Sequence, residues 1–173
     1  MTHSNTIFGF WIYLMTDCVL FATFFAAYAV LRQPIPLDLS LALAQTLILL
    51  TSSFTCGIAL LYKRYALIFW LAVTFLLGAL FIFLQLTEFN RLLAMGSSWQ
   101  TNGSLSAFFT LVGVHALHIA AGLLMMIVFT VQLLHRGLTE AVFRRLTCLR
   151  MYWQFVYLVW IFTFAIVYLI GAK

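Results

Sequence analysis

Apolar residues occur along this chain in five long runs, which are separated by short segments rich in polar and charged residues. A helix needs about 20 consecutive, mostly apolar residues to cross the hydrocarbon core of a bilayer, and each run is long enough. The pattern therefore predicts an all-α integral membrane protein, a bundle of five transmembrane helices that forms a single membrane domain over residues 1–173. The predicted spans are residues 7–31, 39–62, 66–89, 104–134 and 151–171.

The segments between the runs predict how the helices are connected. Only Lys63, Arg64 and Tyr65 separate the second run from the third, and a turn this short makes those two helices antiparallel neighbours. A polar loop at residues 96–103 precedes the fourth run, and a basic segment at 136–150, predicted to be a loop, precedes the fifth. We expect this basic segment to face anionic lipid headgroups, where each charge contributes about 1 kcal/mol.

Composition supports lipid as the solvent of this protein. Hydrophobic residues make up 65% of the chain and charged residues only 8%, whereas a water-soluble domain carries roughly 25% charged residues. The net charge of +5 does not indicate nucleic acid, because the basic residues lie at the ends of the apolar runs. The cysteines Cys18, Cys56 and Cys148 share no close spacing, so neither a disulfide nor a zinc site is predicted.

The basic residues are distributed unequally between the two ends of the predicted bundle. Cytoplasmic segments of membrane proteins collect Lys and Arg. The distribution therefore predicts a cytoplasmic N-terminus and a C-terminus on the outer, periplasmic side. The end with the N-terminus carries Lys63, Arg64, Arg136, Arg144, Arg145 and Arg150, and the opposite end carries only Arg32, Arg91 and Lys173.

Asp17 is an ionisable residue inside a predicted span. It lies ten residues into the first run, which at about 1.5 Å per residue is roughly 15 Å deep, near mid-membrane. An Asp at such a depth costs about 2.5–3.5 kcal/mol on insertion scales, so it is a candidate functional residue. Asp17 is either a proton-relay carboxylate or a hydrogen-bonded group that fixes helix packing, and we favour the packing role.

His115 and His118 lie three residues apart on the fourth run, and Gly122 follows one turn later. The pair suggests either haem or metal ligation, or hydrogen bonds to neighbouring helices that Gly122 allows to approach closely. We favour the hydrogen bonds. Axial haem ligands in a bundle come from facing helices, and no other predicted span contains a histidine.

Three further groups have candidate roles. Glu88, near the end of the third run, is expected to be a boundary charge in contact with water, with a conduction role as the alternative. The small residues Ser53 and Gly57, four apart, predict close approach of the second helix to a neighbour. An aromatic stripe on the fifth run predicts a protein or lipid contact; it consists of Trp153, Tyr157, Trp160, Phe164 and Tyr168.

The chain contains no nucleotide-binding loop, nucleophile–base pair or Cys/His metal cluster, which favours an accessory subunit over an enzyme. Four segments then resemble subunit III of the haem–copper terminal oxidases. They are FGFWIYLMTDCVLFATFFAAYAVL at residues 8–31, FLQLTEF at 83–89, SAFFTLVGVHALHIAAG at 106–122 and YWQFVYLVWIFTFAIVY at 152–168. The five-helix length and the segment HRGLT at 135–139 are similar to the bacterial quinol-oxidase branch, the cytochrome bo type.

The resemblance implies a non-catalytic subunit that binds no haem or copper, since both belong to subunit I in this family. It implies direct packing against subunit I, with support of its assembly, stability and proton uptake. Subunits II and IV would complete the complex in the bacterial inner membrane, with phospholipid bound in the helix cleft and no nucleic acid. The alternatives are the same role in a cytochrome c oxidase, a small haem-binding cytochrome b subunit, and a small transporter.

The resemblance also ranks the candidate residues. Asp17 matches the family's buried carboxylate, and its expected partner is subunit I or a lipid headgroup, with the histidine face as the alternative. Gln154, Tyr157 and Ala116 stand where the family has His, Asp and Gly, so any ionisable role of the first two positions is lost. The family-motif or buried polar candidates are Asp17, Glu88, His115, His118, Trp153 and Gln154; the candidate lipid or subunit contacts are Trp160, Tyr157 and Gly122.

Overall fold

The computed structural model describes residues 2–31, 38–62, 64–96 and 103–169. These residues form five helices, each long and apolar enough to cross a membrane, which confirms the predicted all-α architecture. The helices are α1 (Thr2–Leu31), α2 (Leu39–Ala59), α3 (Arg64–Ala94), α4 (Gly103–Arg136) and α5 (Glu140–Thr163), and α5 continues as a π-helical segment, Phe164–Leu169.

Helix α5 begins well before the predicted fifth span. It starts at Glu140, so the prediction that residues 136–150 are a loop is wrong for most of that segment. Gly137, at φ +70°, ends α4, and the hydroxyl of Thr139 accepts a hydrogen bond from the backbone N–H of Val142 to start α5. The charges mark where the helix leaves the hydrocarbon core; they do not end it, because Arg is a good helix former.

Helices α2 and α3 are antiparallel neighbours, as the short turn predicts. The Ser52 hydroxyl donates to the Thr74 carbonyl oxygen at 3.2 Å, and the Thr55 and Thr74 hydroxyls lie 2.8 Å apart. The predicted close approach at Gly57 is wrong, because a Cβ added there would meet nothing within 4 Å. The α2–α3 contact is therefore made by hydroxyl groups that form hydrogen bonds across the interface, and not by close approach at the smallest side chains.

Close backbone approach occurs instead around the indole of Trp153. A Cβ added at Gly78 of α3 or at Gly122 of α4 would lie 2.9 Å from a Trp153 ring atom. The indole N–H of Trp153 donates to the Ser52 hydroxyl at 3.1 Å. One side chain of α5 therefore contacts α2, α3 and α4, and the predicted packing role of Gly122 is confirmed.

Polar contacts join the helix ends at both ends of the bundle. At one end, the Arg64 guanidinium donates to the Leu134 carbonyl oxygen at 2.7 Å and joins the start of α3 to α4. At the other end, Arg91 of α3 lies 2.9 Å from the carboxylate of Asp38, which caps α2. Helix α1 packs against α4 and α5.

The Asp38 cap is expected to give stability an acid-dependent component. A hydrogen bond from the Ser40 hydroxyl, with the charge of Arg91, lowers the pKa of Asp38. A carboxyl group with a lowered folded-state pKa stabilises the fold above its unfolded pKa of about 3.9, and this contribution is lost as pH falls through the folded value. Asp38→Asn should slightly lower the thermal unfolding midpoint of the detergent-purified protein at neutral pH. The difference should shrink as pH drops below about 4, whereas a difference that is constant with pH would contradict the assignment.

Candidate functional site

Asp17, which is buried, and His118, which is partly buried, form a pair between α1 and α4. Asp17 is 9% exposed, and one of its carboxylate oxygens lies 3.6 Å from Nε2 of His118. Nδ1 of His118 lies 2.8 Å from the Val114 carbonyl oxygen, which can only accept, so Nδ1 carries a proton. The 3.6 Å between Nε2 and the carboxyl oxygen is longer than a hydrogen bond, so the two groups are in electrostatic contact. The contact with the histidine face is therefore present, while a contact of Asp17 with subunit I or lipid stays a prediction.

His115 is buried more deeply in the bundle than His118. Its ring is fully buried, stacks on Trp160 with ring centroids 5.3 Å apart, and meets the edges of Phe81 and Phe21 at 6.0 and 6.2 Å. Neither ring nitrogen has a hydrogen-bond partner among the described residues. The prediction that both histidines bond to neighbouring helices is wrong for His115. Three residues advance a helix by about 300°, which leaves the two side chains about 60° apart. His115 therefore packs against α3 and α5 while His118 lies beside Asp17, and both rings meet Phe21 of α1.

Glu88 is buried, and the prediction of a boundary charge open to bulk water is wrong. The residue is 2% exposed, and one carboxylate oxygen accepts a hydrogen bond from the Tyr168 hydroxyl at 2.9 Å. Helix α3 continues to Ala94, which leaves Glu88 about 9 Å from the helix end. The π-helical segment that follows α5 supplies Tyr168 and covers the carboxyl group.

The aromatic stripe of α5 is mainly a contact within the chain. Trp160 is fully buried, its indole N–H donates to the Thr46 hydroxyl at 3.0 Å, and its ring meets Phe81 edge-on at 4.7 Å. The prediction of a lipid or subunit contact is therefore wrong for Trp160, as it is for the buried Gly122. A side chain as large as Trp packs where the neighbouring helices supply small residues and a hydroxyl acceptor.

Tyr157 and Gln154 face outward from α5. They line a groove of about 440 Å³ between α1 and α5, where Gln154 is exposed and Tyr157 is partly buried. The groove is almost entirely apolar, so it can accommodate hydrocarbon. Its other lining residues are Trp11, Leu14, Met15, Cys18, Met151, Phe155 and Leu158.

Two buried polar residues, Gln45 and Thr74, were missed by the sequence analysis. Both are fully buried, and Thr74 bonds across the α2–α3 interface. The same criterion that identified Asp17, a polar side chain inside an apolar span, identifies Gln45 as well. Thr74 carries no such signal, because Thr is common in membrane helices and bonds to its own backbone.

The buried polar groups lie in two separate places. Asp17 lies beside His118 between α1 and α4, and Glu88 bonds to Tyr168 at the end of α5. Among the described residues, no three His, Cys, Asp or Glu side chains come together in a way that could hold a metal ion. Asp17 and His118 lie together, but no third His, Cys, Asp or Glu joins them among the described residues.

Known proteins resemble this chain over almost its whole length. The sequence model for cytochrome c oxidase subunit III matches residues 2–172. Cytochrome bo(3) ubiquinol oxidase subunit 3 of Pseudomonas aeruginosa is 48% identical over 97% of this chain and 86% of its own length, and its Pseudomonas putida counterpart is 44% identical over 96% and 86%. Quinol oxidase subunit 3 of Bacillus subtilis is 37% identical over 95% and 87%. The chain therefore belongs to the cytochrome c oxidase subunit III family.

Proposed function

We propose that this chain is subunit III of a respiratory terminal oxidase that oxidises quinol, reduces oxygen to water and pumps protons across the bacterial cytoplasmic membrane. The chain takes no part in electron transfer, and haem and copper belong to subunit I. The observation that carries the proposal is similarity over almost the full chain to proteins named as subunit 3 of ubiquinol and quinol oxidases. The five membrane-spanning helices are consistent with that role.

Affinity purification of the tagged chain from native membranes tests this function. Subunits I, II and IV should be recovered with it, and the preparation should show the haem spectrum of subunit I. Oxygen consumption should be supported by ubiquinol and not by reduced cytochrome c. Activity with cytochrome c instead would establish the alternative, a cytochrome c oxidase, while a haem spectrum from the chain without subunit I would overturn the accessory role.

Lipid-exposed surfaces of α1 and α5 are the proposed contacts with subunit I and with phospholipid. The groove lined by Tyr157 and Gln154 has the apolar lining that an acyl chain needs. A second opening, of about 470 Å³, lies near the start of α5 and is lined in part by Arg144 and Arg145, whose charges suit an anionic headgroup. Arg145 also donates to the Gln132 side chain, which holds its guanidinium near the opening.

The proposed orientation places the N-terminus in the cytoplasm. The turn before α3 and the end of α4 lie at the same end of the bundle, since Arg64 bonds to Leu134, and this end carries the larger basic charge. A periplasm-active reporter fused after Lys173 should be active, and one fused after Leu138 should be inactive. The opposite pattern of reporter activity would show that the N-terminus is periplasmic, and that the distribution of basic residues does not predict the orientation of this chain.

Asp17 is proposed to support packing and not an obligatory proton path. Asp17→Asn retains a polar group beside His118, whereas Asp17→Ala leaves the partly buried imidazole without one, at a cost of about 1 kcal/mol. We expect proton release per electron to stay near the wild-type value in Asp17→Asn, with weaker retention of this subunit, and retention to be weaker still in Asp17→Ala. Loss of pumping in fully assembled Asp17→Asn enzyme, with oxygen consumption intact, would make Asp17 part of the proton path.

A further inference from the structure

Three polar side chains with unpartnered atoms are buried in the outer half of the bundle, the half that contains the Asp38–Arg91 contact. Gln45 of α2 is fully buried, and Gln85 and Glu88 of α3 are 1% and 2% exposed. Both amide atoms of each glutamine, and the Glu88 carboxylate oxygen that does not bond to Tyr168, have no hydrogen-bond partner among the described residues. The Gln85 amide interacts with the neighbouring Glu88 carboxyl group, but none of these five atoms has a partner with full hydrogen-bond geometry in the described part of the chain.

The register of α2 against α3 places these side chains at one depth. Asp38 lies opposite Arg91 and Thr55 lies opposite Thr74. In an antiparallel pair with this register, the residue seven positions after Asp38, Gln45, lies opposite the residue next to Gln85. Glu88 follows Gln85 by three positions, so the two share a face of α3.

Helix α5 and its π-helical segment close this region from the third side. Trp160 bonds to Thr46, the neighbour of Gln45, and Tyr168 bonds to Glu88. The segment that carries Tyr168 has π-helical geometry, which is rare and occurs frequently at functional sites. The unpartnered atoms are thus enclosed by α2, α3 and the end of α5.

Leaving five such atoms without partners is unfavourable. In hydrocarbon no solvent reaches a buried amide or carboxyl group, and native proteins satisfy nearly all of their buried polar groups. Buried water commonly supplies the missing bonds, and each such molecule needs two to four polar partners. Two amides, which both donate and accept, and one carboxylate oxygen are a suitable set of partners for water.

We propose that the outer half of the bundle contains an internal hydration site, in which ordered water molecules bridge Gln45, Gln85 and Glu88. The water links α2 to α3 and keeps the carboxylate of Glu88 in place to accept the Tyr168 hydrogen bond. The site is separate from the Asp17–His118 pair, which lies between α1 and α4.

Hydroxyl-radical labelling of the intact complex by synchrotron radiolysis tests the proposal, because radicals formed from bound water oxidise adjacent side chains even when these are buried. Tyr168 and Tyr152 are a matched pair, 1% and 2% exposed; Tyr168 contacts Glu88, while Tyr152 bonds to the His118 carbonyl oxygen. We expect Tyr168 to be oxidised several-fold faster than Tyr152. In the Gln45→Leu/Gln85→Leu variant, the Tyr168 rate should fall to that of Tyr152.

Equal labelling of the two tyrosines in the wild-type complex would overturn the proposal. So would a fast Tyr168 rate that the double substitution leaves unchanged, since the water would then not depend on the two amides. If the double variant does not assemble, a high-resolution cryo-EM map of the wild-type complex decides the question. Water density within hydrogen-bond distance of both amides supports the site, whereas a direct bond between Gln45 and Gln85 without such density refutes it.

Discussion

Trp153→Ala is expected to destabilise this chain by about 3 kcal/mol, the lower end of the range for Trp→Ala in protein cores. The indole is 1% exposed and fills the space between Gly78 and Gly122. Removal of the indole leaves a cavity that Gly78 and Gly122, which have no side chains, cannot fill. It also leaves the Ser52 hydroxyl without its hydrogen-bond donor. The lower end of the range applies because unfolding within a membrane transfers the side chain to lipid, not to water.

Thermal release of the chain from the purified complex measures this loss. A fluorescent tag on the chain reports, by size-exclusion chromatography after heating, the temperature at which half of it has dissociated or aggregated. Phe83→Ala is the control, since Phe83 belongs to α3, outside the proposed α1–α5 contact, is 63% exposed and should change the midpoint much less. Trp153→Phe keeps most of the packing and loses only the bond to Ser52, so its midpoint should fall between wild type and Trp153→Ala. Equal midpoints for Trp153→Ala and Phe83→Ala would contradict the assignment.

Gly122→Ala is expected to destabilise the chain by about 1–3 kcal/mol through overpacking. The added methyl carbon would lie 2.9–3.0 Å from ring atoms of Trp153 and Tyr152, and both rings are held by hydrogen bonds. The helix must therefore move away from α5. Gly113→Ala is the control on the same helix, because its Cβ would meet nothing within 4 Å while it makes the same change in helix propensity.

A second substitution identifies the cause of the Gly122 effect. If the methyl group strains the indole, Trp153→Phe should relieve part of the loss, so that the Gly122→Ala/Trp153→Phe variant is more stable than the sum of the single effects. Additive effects would show that Gly122 is required for another reason. A Gly113→Ala variant as unstable as Gly122→Ala would show that close packing is not the cause.

The length and spacing of the apolar runs were sufficient to predict the number of helices and the antiparallel α2–α3 pair, because bilayer thickness sets the length of a span. The presence of ionisable side chains inside apolar runs predicted the main candidate residues and the family resemblance ranked them, and the proximity of Asp17 to the histidine face was one of two stated alternatives. The predicted start of α5 was less accurate, because the first eleven residues of this helix, from Glu140 onwards, were predicted to be a loop. Charge indicates the membrane boundary but not the end of a helix.

The direction in which each polar side chain faces was decided only by the tertiary structure. A membrane span is apolar on all sides, so its sequence lacks the polar stripe that identifies the exposed face of a helix in a soluble protein. His115 and His118 therefore share a sequence motif and both meet Phe21, but His115 packs against α3 and α5 whereas His118 lies beside Asp17. In the same way, Gly78 rather than Gly57 lies at the close contact. Glu88 is buried because a π-helical segment far along the chain covers it. By itself the sequence determined what crosses the membrane, since that depends on local hydrophobicity; packing between distant segments determined which polar groups meet.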